Sequence, residues 1–253
     1  MAARAPTLGA MTEPEDAPTK KKKGTSWLVR LVIAGGSLGT VMGVVLALLF
    51  GAYKIPSASM WPTMRLGERV MATRLAKQPF RGALMVFHFP EHRESLFAKR
   101  IVGLEGDRVA VLEGAITING WKIPRCVVGR ASYHDEVGGS ADKHEGTLSV
   151  EWLGQATYLV FEEKTSSGAP GEGSDWKVAT GQYFVLGDNR NNSHDSRLWF
   201  AGKGGGVPLA DTIGRVVGHE SVTLPAGAEE LGPALAACLA KRPEQTDPPP
   251  SAK

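Results

Sequence analysis

The chain has 253 residues with 31 glycines, 16 prolines and few aromatics, enough to bury a real core and better suited to a turn-rich β protein than to a helical bundle. Its net charge of +3 becomes −1 once the four lysines of Lys20–Lys23 are set aside, which leaves no basic body to hold nucleic acid. Cys126 and Cys238 lie far apart without CxxC spacing, which excludes a zinc ribbon and a disulfide-dense scaffold.

Residues 1–25 are polar and read as a disordered cytoplasmic tail. Residues 26–53 contain Leu31–Tyr53, a run of 23 residues without a charge, and about 20 such residues span a bilayer core. The one candidate cleavage site, Phe50-Gly51-Ala52, sets a bulky side chain where a small one is required, so the segment reads as a retained transmembrane anchor. Lys20–Lys23 and Arg30 precede it and only Lys54 follows closely. This places the N-terminus in the cytoplasm and the body outside, in a single-pass protein of the inner (plasma) membrane that contacts lipid. Gly35, Gly39, Gly43, Ala47 and Gly51 form a strip of small residues that fits helix-mediated self-association, or simply the glycine content of membrane helices. Gly35–Gly39 formally matches GxSxG but lacks the strand–turn–helix setting of a nucleophile elbow.

Beyond the anchor, short apolar runs between turn residues predict strands over Arg69–Thr73, Leu84–Phe89, Ser95–Val102, Arg108–Leu112 and Ala115–Ile118. Asn119-Gly120 marks a hairpin turn. Further strands are expected at Thr147–Trp152, Thr157–Glu162, Gln182–Leu186 and Asp211–Thr223. Tyr133–Gly146 and Thr165–Asp175 read as exposed loops. The organisation is a β core over 54–125 and 181–224, a hairpin-rich insertion over 126–180, and a C-terminal part over 225–253. That last part holds a short helix at Glu229–Lys241 and a disordered tail from Pro243. In an extracytoplasmic body one disulfide remains open, but two buried thiols are the favoured reading of Cys126 and Cys238.

Three polar features stand out in this frame. Ile55–Met64, IPSASMWPTM, follows the anchor directly; Lys99 interrupts an apolar strand; and Gly187–Arg197, GDNRNNSHDSR, follows another strand. A serine attacks a carbonyl only when a neighbouring base takes its proton. No histidine is well placed by motif, and of the six only His194, inside the polar cluster, stays a candidate. Lys99 is the more attractive base, because desolvation against an apolar wall lowers an ammonium pKa. Ser57 shares a strand face with Ser59, so its hydroxyl and the Ser59 amide can stabilise a tetrahedral oxyanion; an ST-turn is the plainer alternative. The features together suggest a membrane-anchored hydrolase.

These segments, PSASMWPTM at 56–64, KRIVGLEGD at 99–107 and GDNRNNSHDSR at 187–197, resemble the ordered boxes of bacterial type I signal peptidases, the serine–lysine dyad family. The resemblance runs from about Ile55 to Gly218. It implies a mostly β fold, with an antiparallel catalytic core and a smaller inserted β domain, preceded by one N-terminal transmembrane helix. It implies an endopeptidase that removes signal peptides from exported preproteins after small residues, with Ser59 as nucleophile, Lys99 as general base and Ser57 in the oxyanion hole. Ser193 would orient the Lys99 amine, Asp188 would pair with Arg100, and Asp195 with Arg197. Tyr53, Ile55, Met64, Phe97 and Ala98 would line two shallow apolar pockets, with substrate added as a strand between Ala52–Ser57 and Leu96–Ala98. No cofactor, metal or nucleic acid is expected. Ala83, Glu105 and Asn191 depart from the family pattern, and Phe200–Gly205 looks inserted. Rival readings are a self-cleaving repressor-type serine–lysine protease, against which the anchor argues, and a catalytically silent, anchored peptide-binding relative.

Overall fold

The computed structural model describes residues 27–112, 114–137, 140–163 and 170–250. The predicted tail over 1–25, residues 165–169 of the expected loop and the last three residues lie outside that set. Helix α1 spans Trp27–Leu49, with side chains described at Trp27 and from Gly39 onward. Among the described residues no helix is long and apolar enough to cross a membrane. The apolar run read as Leu31–Tyr53 divides in two, because Phe50–Lys54 is strand β1, paired antiparallel with β2 at Arg69–Thr73. The helix ends where its open carbonyls find donors. Arg74 N bonds the Leu49 carbonyl at 2.8 Å, and the Arg74 guanidinium reaches the Ala47 and Leu48 carbonyls, each at 3.4 Å.

The body is built from three antiparallel sheets, as the alternation of short apolar runs predicts. Seven strands form the first, in the order β1, β2, β14 (Thr212–Val217), β3 (Leu84–Phe89), β4 (His92–Gly103), β12 (Gln182–Leu186) and β13 (Val207–Pro208). In the second, β11 (Asp175–Lys177), β5 (Arg108–Leu112), β6 (Ala115–Ile118) and β7 (Trp121–Lys122) lie side by side. The third orders β10 (Ala156–Glu163), β9 (Ser140–Leu153) and β8 (Arg125–Val137). Asn119 and Gly120, at φ 53° and 79°, make the tight turn between β6 and β7; a two-residue hairpin of this hand needs positive φ at both positions.

Strand β3 shows why the core sits where it does. Its side chains alternate across the sheet. Met85, Phe87 and Phe89 enter a cluster with Tyr183 and Trp199, while Leu84 and Val86 enter another with Met60 and Met64. A strand apolar on both faces belongs in the middle of a covered sheet, and that second cluster is the floor on which the Ser59 segment rests.

Three expectations need correction. Tyr133–Gly146 is not a loop but most of a long ribbon, with β8 and β9 paired from Arg125↔Glu151 to Val137↔Ser140 and a register shift between Val127 and Gly129. A two-stranded ribbon has little apolar burial to imprint on its sequence, and its polar composition reads as a loop. The segment from Pro243 to Pro250 is not a disordered tail. It lies along two turns, with Gly154 N bonded to the Thr246 carbonyl at 2.9 Å and Asn119 Nδ2 to the Pro249 carbonyl at 2.8 Å. Main-chain bonds of this kind leave no trace in composition. Third, Cys126 and Cys238 are not buried thiols but a disulfide, with Cα atoms 5.6 Å apart and a sequence separation of 112. It ties helix α2 (Gly232–Leu239) to β8.

Closing so long a loop constrains the unfolded chain, and a bridge of this reach contributes about 2–5 kcal/mol. Thiol reduction, or Cys238→Ser, is therefore expected to lower the unfolding free energy by that amount and bring the denaturant midpoint down, read by tryptophan fluorescence. An unchanged midpoint would show that the helix docks without the bridge.

Candidate active site

Ser59 sits in a single 3-10 turn, Ala58–Met60, entered from an extended Ser57 at φ −143° and ψ 159°. The turn is held from below by Met60 and Met64, both fully buried among Ile55, Val70 and Val86; burying each such side chain contributes about 1.5–3 kcal/mol. From the side, Trp61 stacks on Tyr133 at 4.7 Å and meets the Phe161 edge at 4.6 Å. Across the turn, Asn189 N donates to the Ser59 carbonyl at 3.1 Å and Asn189 Nδ2 to the Ala58 carbonyl at 3.3 Å. Gly187 permits this approach, because a Cβ there would strike the Ser59 carbonyl and Ser193.

Lys99 comes from β4, opposite Met85 of β3. Its side chain is buried and its Nζ donates to Ser59 Oγ. The Phe97 ring centroid lies 5.5 Å from Nζ. Burial lowers the Lys99 pKa from 10.5 to about 8, against the pull of the Asp195 and Asp188 carboxylates, with Arg197 adding to the lowering. Those two acids are prevented from recharging the lysine because each is already committed. Asp188 takes Arg100 Nε at 2.8 Å, Arg100 Nη2 at 2.7 Å and the Thr63 hydroxyl at 2.5 Å. Asp195 takes Arg197 Nε and Nη2, each at 2.8 Å, and Gly187 N at 3.0 Å. Both pairs are buried, and removing one partner of a buried pair costs roughly 3–5 kcal/mol.

Ser57 Oγ lies 3.0 Å from Ser59 Oγ. Ser193 is buried beside Gly187, but its hydroxyl has no hydrogen-bond partner among the described residues and does not bond Lys99. The His194 ring lies edge-on to Phe89 at 5.6 Å and Phe97 at 6.5 Å. The unusual residues are all accommodated. Ala83 packs into the core, and Arg81 bonds Asp107 at 2.8 and 2.6 Å. Glu105 accepts from Gly181 N at 2.9 Å, and Asn191 Nδ2 lies 3.4 Å from the Glu163 carbonyl. In the stretch that looks inserted, Phe200 and Ala201 turn at φ 54° and 57°, and the Lys203 carbonyl accepts from Trp176 Nε1 at 2.9 Å.

A cavity of about 670 Å³ opens onto Ser59 and Lys99. Tyr53, Ile55, Phe97 and Ala98 line it, joined by Val86 and Leu96. Met64 does not; it is fully buried in the cluster beneath, since its place at the end of the turn points it at the core. Val86 was legible in principle, because it pairs directly with Ala98 across β3 and β4. Asp135 and Asn192 also line the cavity; Asp135 was hidden by the loop reading of its ribbon. Beyond its pairing with β3, strand β4 meets β12 only from Arg100 to Gly103. The second edge of Leu96–Lys99 therefore has no strand beside it among the described residues. An open edge beside a polar pocket is suited to receive an extended peptide through main-chain bonds.

Residues 25–219 match the family described as "Signal peptidase, peptidase S26". The Signal peptidase I of Pseudomonas aeruginosa is 33% identical over 212 residues, covering 76% of this chain and 70% of that protein. That of Pseudomonas fluorescens is 30% identical over 210 residues, with coverage of 76% and 70%. A solved signal peptidase I from Enterococcus faecalis is 24% identical and covers 55% of this chain and 97% of that one. Its TM-score of 0.31 is too low to bear on the fold or the site.

Proposed function

The chain belongs to the peptidase S26 family of signal peptidases and is a serine endopeptidase, and from that premise we propose that it cuts preproteins with Ser59 as nucleophile and Lys99 as general base. The observation that carries this is the contact of the buried Lys99 Nζ with Ser59 Oγ. A lysine with its pKa near 8 is neutral in a useful fraction of molecules close to neutral pH. Once deprotonated, its lone pair accepts the Ser59 proton along the same line of contact. Oγ attacks the scissile carbonyl, and the oxyanion is met by the Ser59 amide and the Ser57 hydroxyl, which turns away from Ser59 Oγ to reach it. The Lys99 ammonium then protonates the departing amine. Water, deprotonated by Lys99, releases the acyl group from Ser59. Ser193, enclosed and unbonded, is the hydroxyl available to steady the amine, since a buried hydroxyl without a partner calls for one.

Substrate enters as a strand against Leu96–Ala98, and Ile55, Val86, Phe97 and Ala98 shape shallow apolar pockets that admit small residues. The anchor belongs to the same proposal. The α1 side chains Val41, Met42, Val44, Val45, Leu46 and Leu48 are 41–64% exposed, and apolar surface of that extent wants lipid around it. Small-residue selection is tested with a purified preprotein in detergent micelles. Changing the alanine just before the cut to tryptophan is expected to lower kcat/KM by at least about 10²-fold. Equal cleavage of the two preproteins would remove the pocket assignment.

A further inference from the structure

On the reading that the cavity at Ser59 is the substrate groove, we infer that Asp135 makes this enzyme favour substrates with a cationic side chain near the cut bond. The β8–β9 ribbon carries Asp135 on the same face as Tyr133. Side chains two apart in a strand share a face, and the Tyr133 ring fixes which face it is by stacking on Trp61, two residues after Ser59. Asp135 thereby lines the groove from the ribbon side, in a lining that also includes Asn192 and His194. Its Oδ1 is enclosed, yet it accepts no hydrogen bond from any described residue. A buried acceptor without a donor is costly, and in a substrate groove the missing donor is one that the substrate brings.

The surroundings say what kind of donor fits. Asp142 stands directly opposite Asp135 across the ribbon. One pair further along the same face, Tyr133 and His144 stack and share Glu163, which accepts from the Tyr133 hydroxyl at 2.9 Å and lies 3.2 Å from His144 Nδ1. Elsewhere in the lining, His194 lies 4.0 Å from Glu91. Among the described residues, the lysines lining the groove are Lys54 and Lys99; Lys99 is engaged with Ser59. Asp135 is the acid among the described residues lining the groove, and an ammonium or guanidinium satisfies its enclosed oxygen. A charge-assisted bond of this kind gives about tenfold discrimination.

The test uses the full chain in detergent micelles with preprotein peptides that differ only by Lys, Gln or Glu at one position, scanned from three residues before the cut to three after. Wild type is expected to prefer Lys over Gln about tenfold in kcat/KM at one position, with Glu poorest. Asp135→Asn should bring that ratio to about one at the same position, and Asp135→Lys should place Glu above Lys there while other positions keep their order. Because each ratio is internal to one variant, lost folding or overall rate does not mimic the result. No position with a ratio above about two, or an Asp135→Asn enzyme that retains the wild-type ratio, overturns the inference. The underlying reading fails differently, if wild type cuts none of the peptides or Ser59→Ala cuts them equally well.

Discussion

Ser59→Ala is expected to remove preprotein cleavage, a loss on the order of 10⁴–10⁶-fold in kcat, while the protein remains folded. The size follows from the site's construction. Lys99 Nζ meets Ser59 Oγ, so deleting that oxygen removes both the attacking atom and the proton that Lys99 takes in the first step. The fold should tolerate the change because the serine hydroxyl is not what holds its own turn. Met60 and Met64 anchor it in the core, Trp61 wedges it against Tyr133 and Phe161, and Asn189 bonds its main chain. The measurement is cleavage of a preprotein in micelles beside circular dichroism of the same sample. Folded Ser59→Ala protein that still cuts at more than a few per cent of the wild-type rate would disqualify Ser59 as nucleophile.

Much of this site could be read from the sequence because it is built from short, ordered segments. Ser59 lies at the end of a Pro-Ser-Ala-Ser run, Lys99 breaks an apolar strand, and the acids and arginines of 188–197 follow β12 directly. In each case local polarity contradicts its surroundings, and a burial cost that must be repaid is visible along the chain. The β core was legible for the same reason, since β2, β3, β5, β6 and β12 carry dense apolar residues between turn signals. What escaped depended on distant partners. Met64 looks like a pocket residue until the turn shows it pointing downward. The β8–β9 ribbon is polar in sequence, so its hydrogen-bond register left no periodic signature, and Asp135 was hidden with it. The bond between Cys126 and Cys238 spans 112 residues, and no spacing rule connects cysteines so far apart.

Lys99 should reveal its role through pH, and in two observables that must agree. Its pKa is 10.5 in an ordinary setting and about 8 in the fold, chiefly through burial. The rate kcat/KM is therefore expected to rise with pH and level off above an apparent pKa near 8. Lys99→Arg should be inactive throughout, since a guanidinium does not give up its proton in this range. Stability carries the same signature. Between pH 8 and 10.5 the unfolded chain holds the proton that the folded one has released, so wild-type stability rises with pH across that window. Below pH 8 the fold bears the whole cost of an unfavourably placed ammonium, about 3 kcal/mol from the size of the shift; above 10.5 it bears none. Lys99→Met keeps the side-chain volume and removes the charge. It should therefore be inactive yet more stable than wild type below pH 8, with the two stabilities converging as pH climbs past 10. Urea unfolding of both proteins at pH 6, 8 and 10 reads this directly. A constant difference across the three pH values would mean that the lysine is solvated, and a rate that falls between pH 6 and 8 would mean that its protonated form does the work; either result ends its assignment as the base.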